Sequence, residues 1–372
     1  MENTVTVEIK DLARAGSGVA KLDTGAVLFT PYTLPGDVIE AKIVKSEKNY
    51  SNGELVKIIT PSPDRVEAPC PVFQTCGGCS WQHVPYSLQF ETKKKGLLFS
   101  LKRAGIESDS IPVDEMPAKN QYNYRNRIQL RGDSTKKIIG FYERNSTRIV
   151  PIQNCLIADP RINEALPGLA QKGFAQSSGD FKLEIDVTPD GTIHTAWNEK
   201  HASLGFKQVN DEQNEVLQSW IKKHLKPADL LFDLFGGHGN LSLPVAENYR
   251  EAYCVDTSTP TQGEVSPPAN YRFETKSILA WAKTPHPRNN LSRKSSLILD
   301  PPREGLGSIF PQIEGKISKL KVESLILVGC DVDSFVKDVR NFIKAGYRLE
   351  RLGVLDLFPQ TPHIESLALF SK

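Results

Sequence analysis

A chain of 372 residues is long enough for two or three domains with a sizeable core. Its 39% hydrophobic and 24% charged residues are those of an ordinary globular protein. The formal net charge of +2 excludes nucleic-acid binding through bulk charge, so any such contact must come from local basic patches. No apolar run approaches the roughly 20 residues that cross a bilayer, and Met1-Glu2-Asn3-Thr4 lacks a basic-then-apolar leader. The expected setting is the cytoplasm, without membrane partners. There, six cysteines point to ligation or chemistry more than to disulfides.

From Val5 to Ile59 short apolar alternations are broken by turns at Gly16-Ser17-Gly18 and Leu34-Pro35-Gly36-Asp37. Five short strands at this spacing predict a small closed barrel. Lys42, Lys45, Lys48 and Lys57 scatter over it, and both a solvated surface and a nucleic-acid face remain open for them. The glycine-rich first turn, the Leu-Pro-Gly-Asp turn and the Lys/Tyr-bearing stretch after it resemble the TRAM domain. This resemblance implies an OB-like RNA-binding module over residues 1–62.

A proline-rich linker, Pro61 to Pro71, leads into Cys70-Pro71-Val72-Phe73-Gln74-Thr75-Cys76-Gly77-Gly78-Cys79. Clustered thiols with two intervening glycines can wrap one metal centre, and Cys155 is the best remaining candidate for a fourth ligand. Four thiolates suit zinc or an iron–sulfur cluster. This spacing, with its flanks Ser62-Pro63-Asp64-Arg65-Val66 and Trp81-Gln82-His83-Val84-Pro85-Tyr86, resembles the cysteine motif of bacterial 23S rRNA (uracil-5-)-methyltransferases. The resemblance implies a [4Fe-4S] cluster on Cys70, Cys76, Cys79 and Cys155 within a central α+β domain, residues 63–203.

Gln89 to Leu101 reads as a helix with Lys93-Lys94-Lys95 on a solvated face. In Tyr122 to Arg131, strand alternation sets Arg125, Arg127, Gln129 and Arg131 on one side. Arginines there can hold phosphates while aromatics stack on unpaired bases, or the face is simply solvated. Further strands are expected within Ile138–Val150 and at Lys182–Val187, with a turn at Pro189-Asp190-Gly191.

Asn210 is a good N-cap for a helix over Asp211–Leu225. The preceding Phe206-Lys207-Gln208-Val209-Asn210 resembles a cofactor-side motif of the same family, which implies that Gln208 contacts S-adenosylmethionine. Strands then alternate with helices: Leu230–Phe235, Ala252–Asp256, Tyr271–Glu274, Ser296–Asp300, Ser324–Cys330, Tyr347–Leu357 and His363–Phe370, with helices over Leu241–Tyr249, Ser308–Leu320 and Asp333–Lys344. This predicts a doubly wound, mostly parallel sheet, with ligands outside the strands' carboxyl ends. The domain, residues 204–372, is expected to be a class I (Rossmann-like) methyltransferase. In Leu230 to Asn240 a buried strand runs into a glycine turn, making Phe235, Gly237 and Asn240 candidate cofactor-binding residues. Asp256, ending the second strand, would take ribose hydroxyls.

Leu299-Asp300-Pro301-Pro302-Arg303 resembles the fourth motif of uracil-5 methyltransferases, which sets Asp300 toward cofactor and target. In a class I sheet the last strand inserts antiparallel beside the fifth, so Cys330 and Glu365 are expected to meet at the ligand edge. Uracil C5 is a poor nucleophile; a thiolate adding at C6 activates it, and a base must later remove the C5 proton. Cys330 is the expected nucleophile and Glu365 the expected base. Cys254 reads as core and His363 as a surface or packing residue. Where the family carries Ser-Cys-Asn-Pro this chain has Gly329-Cys330-Asp331-Val332, and the charge of Asp331 is expected to raise the thiol's pKa. Proline-rich residues after Asp256 predict loss of a crossover helix, and Ser277 stands where the family often has Asn. The expected function is S-adenosylmethionine-dependent C5 methylation of a uridine in 23S rRNA by a monomer. A tRNA uridine, or an RNA-binding or ribosome-assembly protein with weakened catalysis, are the alternatives.

Overall fold

The computed structural model describes residues 4–199, 207–260, 265–285 and 293–372. The chain divides into two compact units. The first comprises Met1–Gly96, Lys119–His201 and Phe358–Pro362; the second comprises Leu97–Ala118, Ala202–Leu357 and His363–Lys372. Two stretches thus depart from the spans read from sequence: 97–118 belongs with the C-terminal sheet, and 358–362 with the N-terminal unit. The boundary expected at 203/204 lies outside the described residues.

The first unit opens with six strands, one more than expected: β1 (Thr4–Glu8), β2 (Asp11–Leu12), β3 (Ser17–Lys21), β4 (Val27–Pro31), β5 (Val38–Ser46) and β6 (Tyr50–Thr60). They form one sheet in the order β1-β5-β6-β4-β3-β2 over a core of Ile9, Ala20, Leu28, Ile39 and Ala41. The turn at Leu34–Asp37 forms as read, with Gly36 at φ +90°, where a Cβ would be strained. Asp37 is fully buried there and accepts from the backbone of Leu34 and Ser62, both at 2.9 Å. Arg65 reaches back to it at 2.6 Å. The proline-rich linker is therefore clipped to the strands at its start.

Helix α1 (Tyr86–Arg103) follows. Lys93 corrects the solvated-face reading of the lysine run. It is fully buried, its Nζ donates to the Phe358 carbonyl at 3.1 Å, and it lies 5.7 Å from the centre of the Trp81 ring. A long alkyl stem can be buried when its ammonium ends on oxygen and aromatic acceptors. After β7 (Val113–Met116), a second sheet of the first unit is built from β8 (Arg127–Asp133), β9 (Ile138–Tyr142), β10 (Ile149–Pro151), β11 (Asp180–Val187) and β12 (Ile193–Trp197), in the order β10-β9-β8-β11-β12. Helix α2 (Pro160–Gln176) packs Ile162, Leu166 and Ala170 against Ile128, Leu130, Leu183 and Ile185.

Arg127, Gln129 and Arg131 do share a face of β8, opposite Asp186, Glu184 and Lys182. Arg127 does not offer itself to phosphates. It is buried, 3.4 Å from Asp186 and 3.9 Å from Glu184, because a buried guanidinium needs carboxylates. Arg131 lies over the half-exposed Tyr142 ring at 5.3 Å.

The second unit is an α/β layer. Its strands are β7, β13 (Leu230–Leu234), β14 (Glu251–Asp256), β15 (Tyr271–Thr275), β16 (Ser295–Leu299), β17 (Val322–Gly329), β18 (Arg348–Leu355) and β19 (Glu365–Ser371). The order is β15-β14-β13-β16-β17-β19-β18-β7, parallel except for β19, which runs antiparallel between β17 and β18. Strands β13, β16 and β19 are buried along their whole length, as continuous apolar runs in a doubly covered sheet require. The helices are α3 (Asp211–His224), α4 (Ile278–Lys283), α5 (Phe310–Ile317) and α6 (Val332–Lys344). Asn210 caps α3 by accepting from the Gln213 N–H. The helix expected over Leu241–Tyr249 is a 3-10 turn at Leu243–Asn248, with Pro244 in its first turn. Among the described residues between Asp256 and Tyr271 there is no helix, as the prolines there suggested.

Candidate active site

The carboxyl ends of β13, β14, β16 and β17 share one edge because these strands run parallel. At the end of β13, Phe235 adopts φ +65°, a left-handed conformation that non-glycine residues rarely take and that clusters at ligand sites. Its N–H is held by the Val255 carbonyl at 3.0 Å. Gly236 must lack a side chain, since a Cβ would fall 2.5 Å from Asp233 Oδ2 and 2.6 Å from Cys254 Sγ. At Gly237, with φ +52°, a Cβ would meet nothing within 4 Å, so the turn faces open space. The Gly237 N–H donates to Asp256 Oδ2 at 3.1 Å, and Ser258 N–H to Oδ1 at 2.9 Å. Asp256 therefore both braces the turn and presents a carboxylate at the end of β14. Gln208 is buried two residues before the cap of α3, while Phe206 of the same motif lies outside the described residues. The Asn240 amide is engaged with α3: it exchanges bonds with Asn214 at 2.8 and 2.9 Å and accepts from Gln218 at 3.0 Å.

Beneath the turn sits Asp233, which sequence reading did not single out. It is fully buried and accepts from Ser242, whose hydroxyl also meets Tyr271 Oη at 2.6 Å. Burial pushes its carboxyl up to about 7 against the Ser242 bond, and the charges of Asp300 and Asp256 add to the rise. Cys254 is core, as read from sequence.

On the other half of the edge, Gly329 of β17 pairs with Ser366 of β19. One residue outward on each strand stand Cys330 and Glu365. The insertion of the last strand thus brings together a thiol and a carboxylate 35 residues apart in sequence. Cys330 is partly exposed, whereas Glu365 is buried. Burial pushes the Cys330 thiol up to about 11, with Glu365 and Asp300 adding to it and Arg303 opposing. Glu365 is itself raised well above the usual carboxylate range by burial and by Asp300, again opposed by Arg303. Asp300, whose N–H donates to the Leu234 carbonyl at 3.3 Å, is raised to about 7 by burial. Glu365, Asp300 and Arg303 are thus all near enough to act on the Cys330 thiol.

Asp331 behaves differently from the expectation. Its carboxylate accepts the Ser334 N–H at 2.9 Å and caps α6, and it is not among the largest influences on the thiol. Gly329 also has a reason: a Cβ there would lie 3.0 Å from the Phe335 ring, which fills that space.

Residues 3–56 match the TRAM domain model. An uncharacterized RNA methyltransferase of Bdellovibrio bacteriovorus is 29% identical over 385 residues, covering 98% of this chain and 94% of that protein. The 23S rRNA (uracil(1939)-C(5))-methyltransferase RlmD of Histophilus somni is 28% identical, with 99% and 96% covered. Over nearly its whole length the chain is thus similar to RNA methyltransferases. Its fold is matched in a solved structure: the Pyrococcus abyssi tRNA (uracil-54, C5)-methyltransferase in complex with S-adenosyl-L-homocysteine superimposes with a TM-score of 0.72 at 21% identity. The match covers 98% of this chain and 100% of that one.

The four cysteines that the family resemblance grouped do share one neighbourhood of the first unit. Burial pushes the Cys79 thiol up to about 12 against the Gln82 side chain, and the charges of Cys155, Cys76 and Cys70 add to the rise. The loop's Gly77 N–H donates to the Tyr142 carbonyl at 2.9 Å, and on the separate segment Asn163 brackets Cys155 at 2.8 and 3.0 Å. Among the described residues, no group of three or more His, Cys, Asp or Glu side chains is spaced to hold a metal ion as it stands. No helix of the described residues is long and apolar enough to cross a membrane.

Proposed function

We propose that this protein transfers a methyl group from S-adenosylmethionine to C5 of a uridine in 23S rRNA, through a covalent Cys330–C6 adduct. The observation that carries the reading is the β17–β19 register, which sets Cys330 beside Glu365 at the ligand edge. The choice of target follows the RlmD relatives. The same reading has the protein act as a cytoplasmic monomer on RNA, its TRAM domain contributing to RNA binding.

The glycine turn, with open space above Gly237 and the Asp256 carboxylate beside it, suits a nucleoside cofactor; Phe235, Gly237, Asp256, Gln208 and Asp300 are the residues assigned to it. Asn240 serves by holding the turn to α3. S-adenosylmethionine, when bound, supplies an electrophilic methyl group. Cys330, as thiolate, adds to C6 of a flipped uracil, and the electron pair moves to the ring as an enolate. C5 then takes the methyl group as the S–CH3 bond breaks, with S-adenosylhomocysteine as the leaving group. Glu365 removes the C5 proton, and the electrons released reform the C5–C6 double bond as the thiolate leaves. A carboxylate raised by burial is a stronger base for that step than an exposed one. Cys70, Cys76, Cys79 and Cys155 would hold the [4Fe-4S] cluster, whose part is to brace the loop docked on Tyr142.

The test is transfer of labelled methyl from S-adenosylmethionine to unmodified 23S rRNA and to tRNA transcripts, with C5 mapped in the product. Label only in tRNA refutes the target. RNA binding without transfer to either refutes the activity and leaves an RNA-binding protein. A Cys330→Ala variant that methylates normally removes the mechanism. Anaerobic protein with no iron, or with zinc in its place, removes the cluster.

A further inference from the structure

The turn that carries Arg303 is not a free loop. Gly305 N–H closes it on the Pro302 carbonyl at 2.7 Å, with Gly305 at φ +70°. Helix α6 grips it at two points. Ser334 Oγ donates to the Arg303 carbonyl at 2.7 Å, and Asp338 Oδ2 accepts the Leu306 N–H at 2.8 Å. Ser334 and Asp338 are four apart and therefore share a helix face. The fit is close enough that a Cβ on Gly305 would lie 2.6 Å from Asp338 Oδ2 and 3.1 Å from Ser334 Cβ. Asp338 is buried, so its bond to Leu306 is not readily exchanged for water. The same helix begins at Val332, two residues after Cys330, and its cap, Asp331, binds the Ser334 N–H. The backbone that carries Cys330 and the backbone that carries Arg303 are thus both tied to one helix.

We infer that Ser334 and Asp338 are positioning residues, which set the reactivity of Cys330 by holding the Arg303 turn against the first two turns of α6. The groups acting most on the thiol include Glu365 from β19 and, from the turn after β16, Asp300 and Arg303; of these Arg303 is the cation. Releasing the turn weakens that favourable charge and leaves the two carboxylates. The importance of this for catalysis rests on Cys330 being the nucleophile, but the effect on the thiol does not.

The experiment reads Cys330 alkylation by iodoacetamide, followed on its own peptide by mass spectrometry between pH 7 and 9.5, in the full-length protein without RNA. Arg303→Gln sets the scale; loss of one nearby charge corresponds to about a three- to tenfold slower rate at fixed pH. The Ser334→Ala/Asp338→Asn double variant is expected to slow alkylation by most of that factor, with Ser334→Thr close to the wild-type rate. On the Arg303→Gln background the double change should add little, because both act through one group. Alkylation of the folded double variant at the wild-type rate overturns the inference, and so does a full-sized effect on the Arg303→Gln background. Should the double variant fail to fold, Ser334→Ala alone decides by the same two criteria. A wild-type Cys330→Ala turnover would instead refute the function, leaving the alkylation result standing.

Discussion

Replacing Glu365 by Gln isolates one of the groups that act on the Cys330 thiol. In the native protein that thiol is pushed up to about 11 from an ordinary 9.0. Two units correspond to a roughly 100-fold smaller thiolate fraction at any pH below both values. At pH 8 the Cys330 peptide should therefore alkylate about 100-fold more slowly than an unhindered cysteine of ordinary pKa. Its rate should keep rising about tenfold per pH unit, with no plateau by pH 9.5. Burial is the largest cause and Glu365 the next. Glu365→Gln keeps the burial and removes the charge, so the rate should rise several-fold yet stay below that of the ordinary thiol. The sign follows from like charge: a carboxylate beside the sulfur opposes formation of the thiolate. An unchanged or slower rate would mean that the carboxylate does not face the sulfur. A rate equal to the ordinary thiol would mean that burial is not the main barrier.

With RNA and S-adenosylmethionine, Glu365→Gln should lose about 10²–10⁴-fold in turnover while accumulating a protein–RNA adduct that survives denaturing electrophoresis; loss of turnover without adduct would place Glu365 before C6 addition. Arg65→Ala leaves the buried Asp37 carboxylate without its cation and should destabilise the first unit by about 3–5 kcal/mol in denaturant melts; a change under 1 kcal/mol would refute the clip. Despite burial, Arg65 and the Ser62 and Leu34 N–H groups hold Asp37 below its ordinary 3.8, so the stability it gives is present above that pH and lost as pH falls through the lowered value. The Arg65→Ala variant should correspondingly lose most of this acid-limb dependence. Gly329→Ser, which restores the residue usual in the family, should cost about 1–3 kcal/mol through crowding against Phe335. The penalty should shrink in a Phe335→Leu background; equal penalties in both would show that Phe335 is not the obstacle.

The C-terminal sheet was legible because most of its strands hold apolar residues and end in a turn signal: seven were expected, and all seven form within a few residues of the reading. The pairing of Cys330 with Glu365 was legible only through topology, since nothing local in either segment points to the other. Strand β7 was missed because Val113–Met116 is four residues long and joins the sheet beside β18, more than 230 residues away. Helix α2 had signals that were passed over: Asp159 caps it, Pro160 opens it, and Ile162, Leu166, Ala170 and Gly173 recur at helical spacing. Burial of Lys93 and Arg127 was not readable, because it depends on a carbonyl and on two carboxylates supplied by distant segments. The part Asp331 plays in the fold is not readable for a related reason: the helix start draws its carboxylate to the Ser334 N–H.

Strand β19 lies inside its sheet, not at an edge, and it comes after both of its neighbours in the chain. Until residues 365–371 emerge, β17 and β18 have no partner between them, and the carboxylate proposed as the base is absent. A nascent chain can therefore build its N-terminal sheet, its cysteine loop and most of its α/β layer before the proposed pair of Cys330 and Glu365 exists. That pair would form in a single step, when seven residues slot between two strands that precede them.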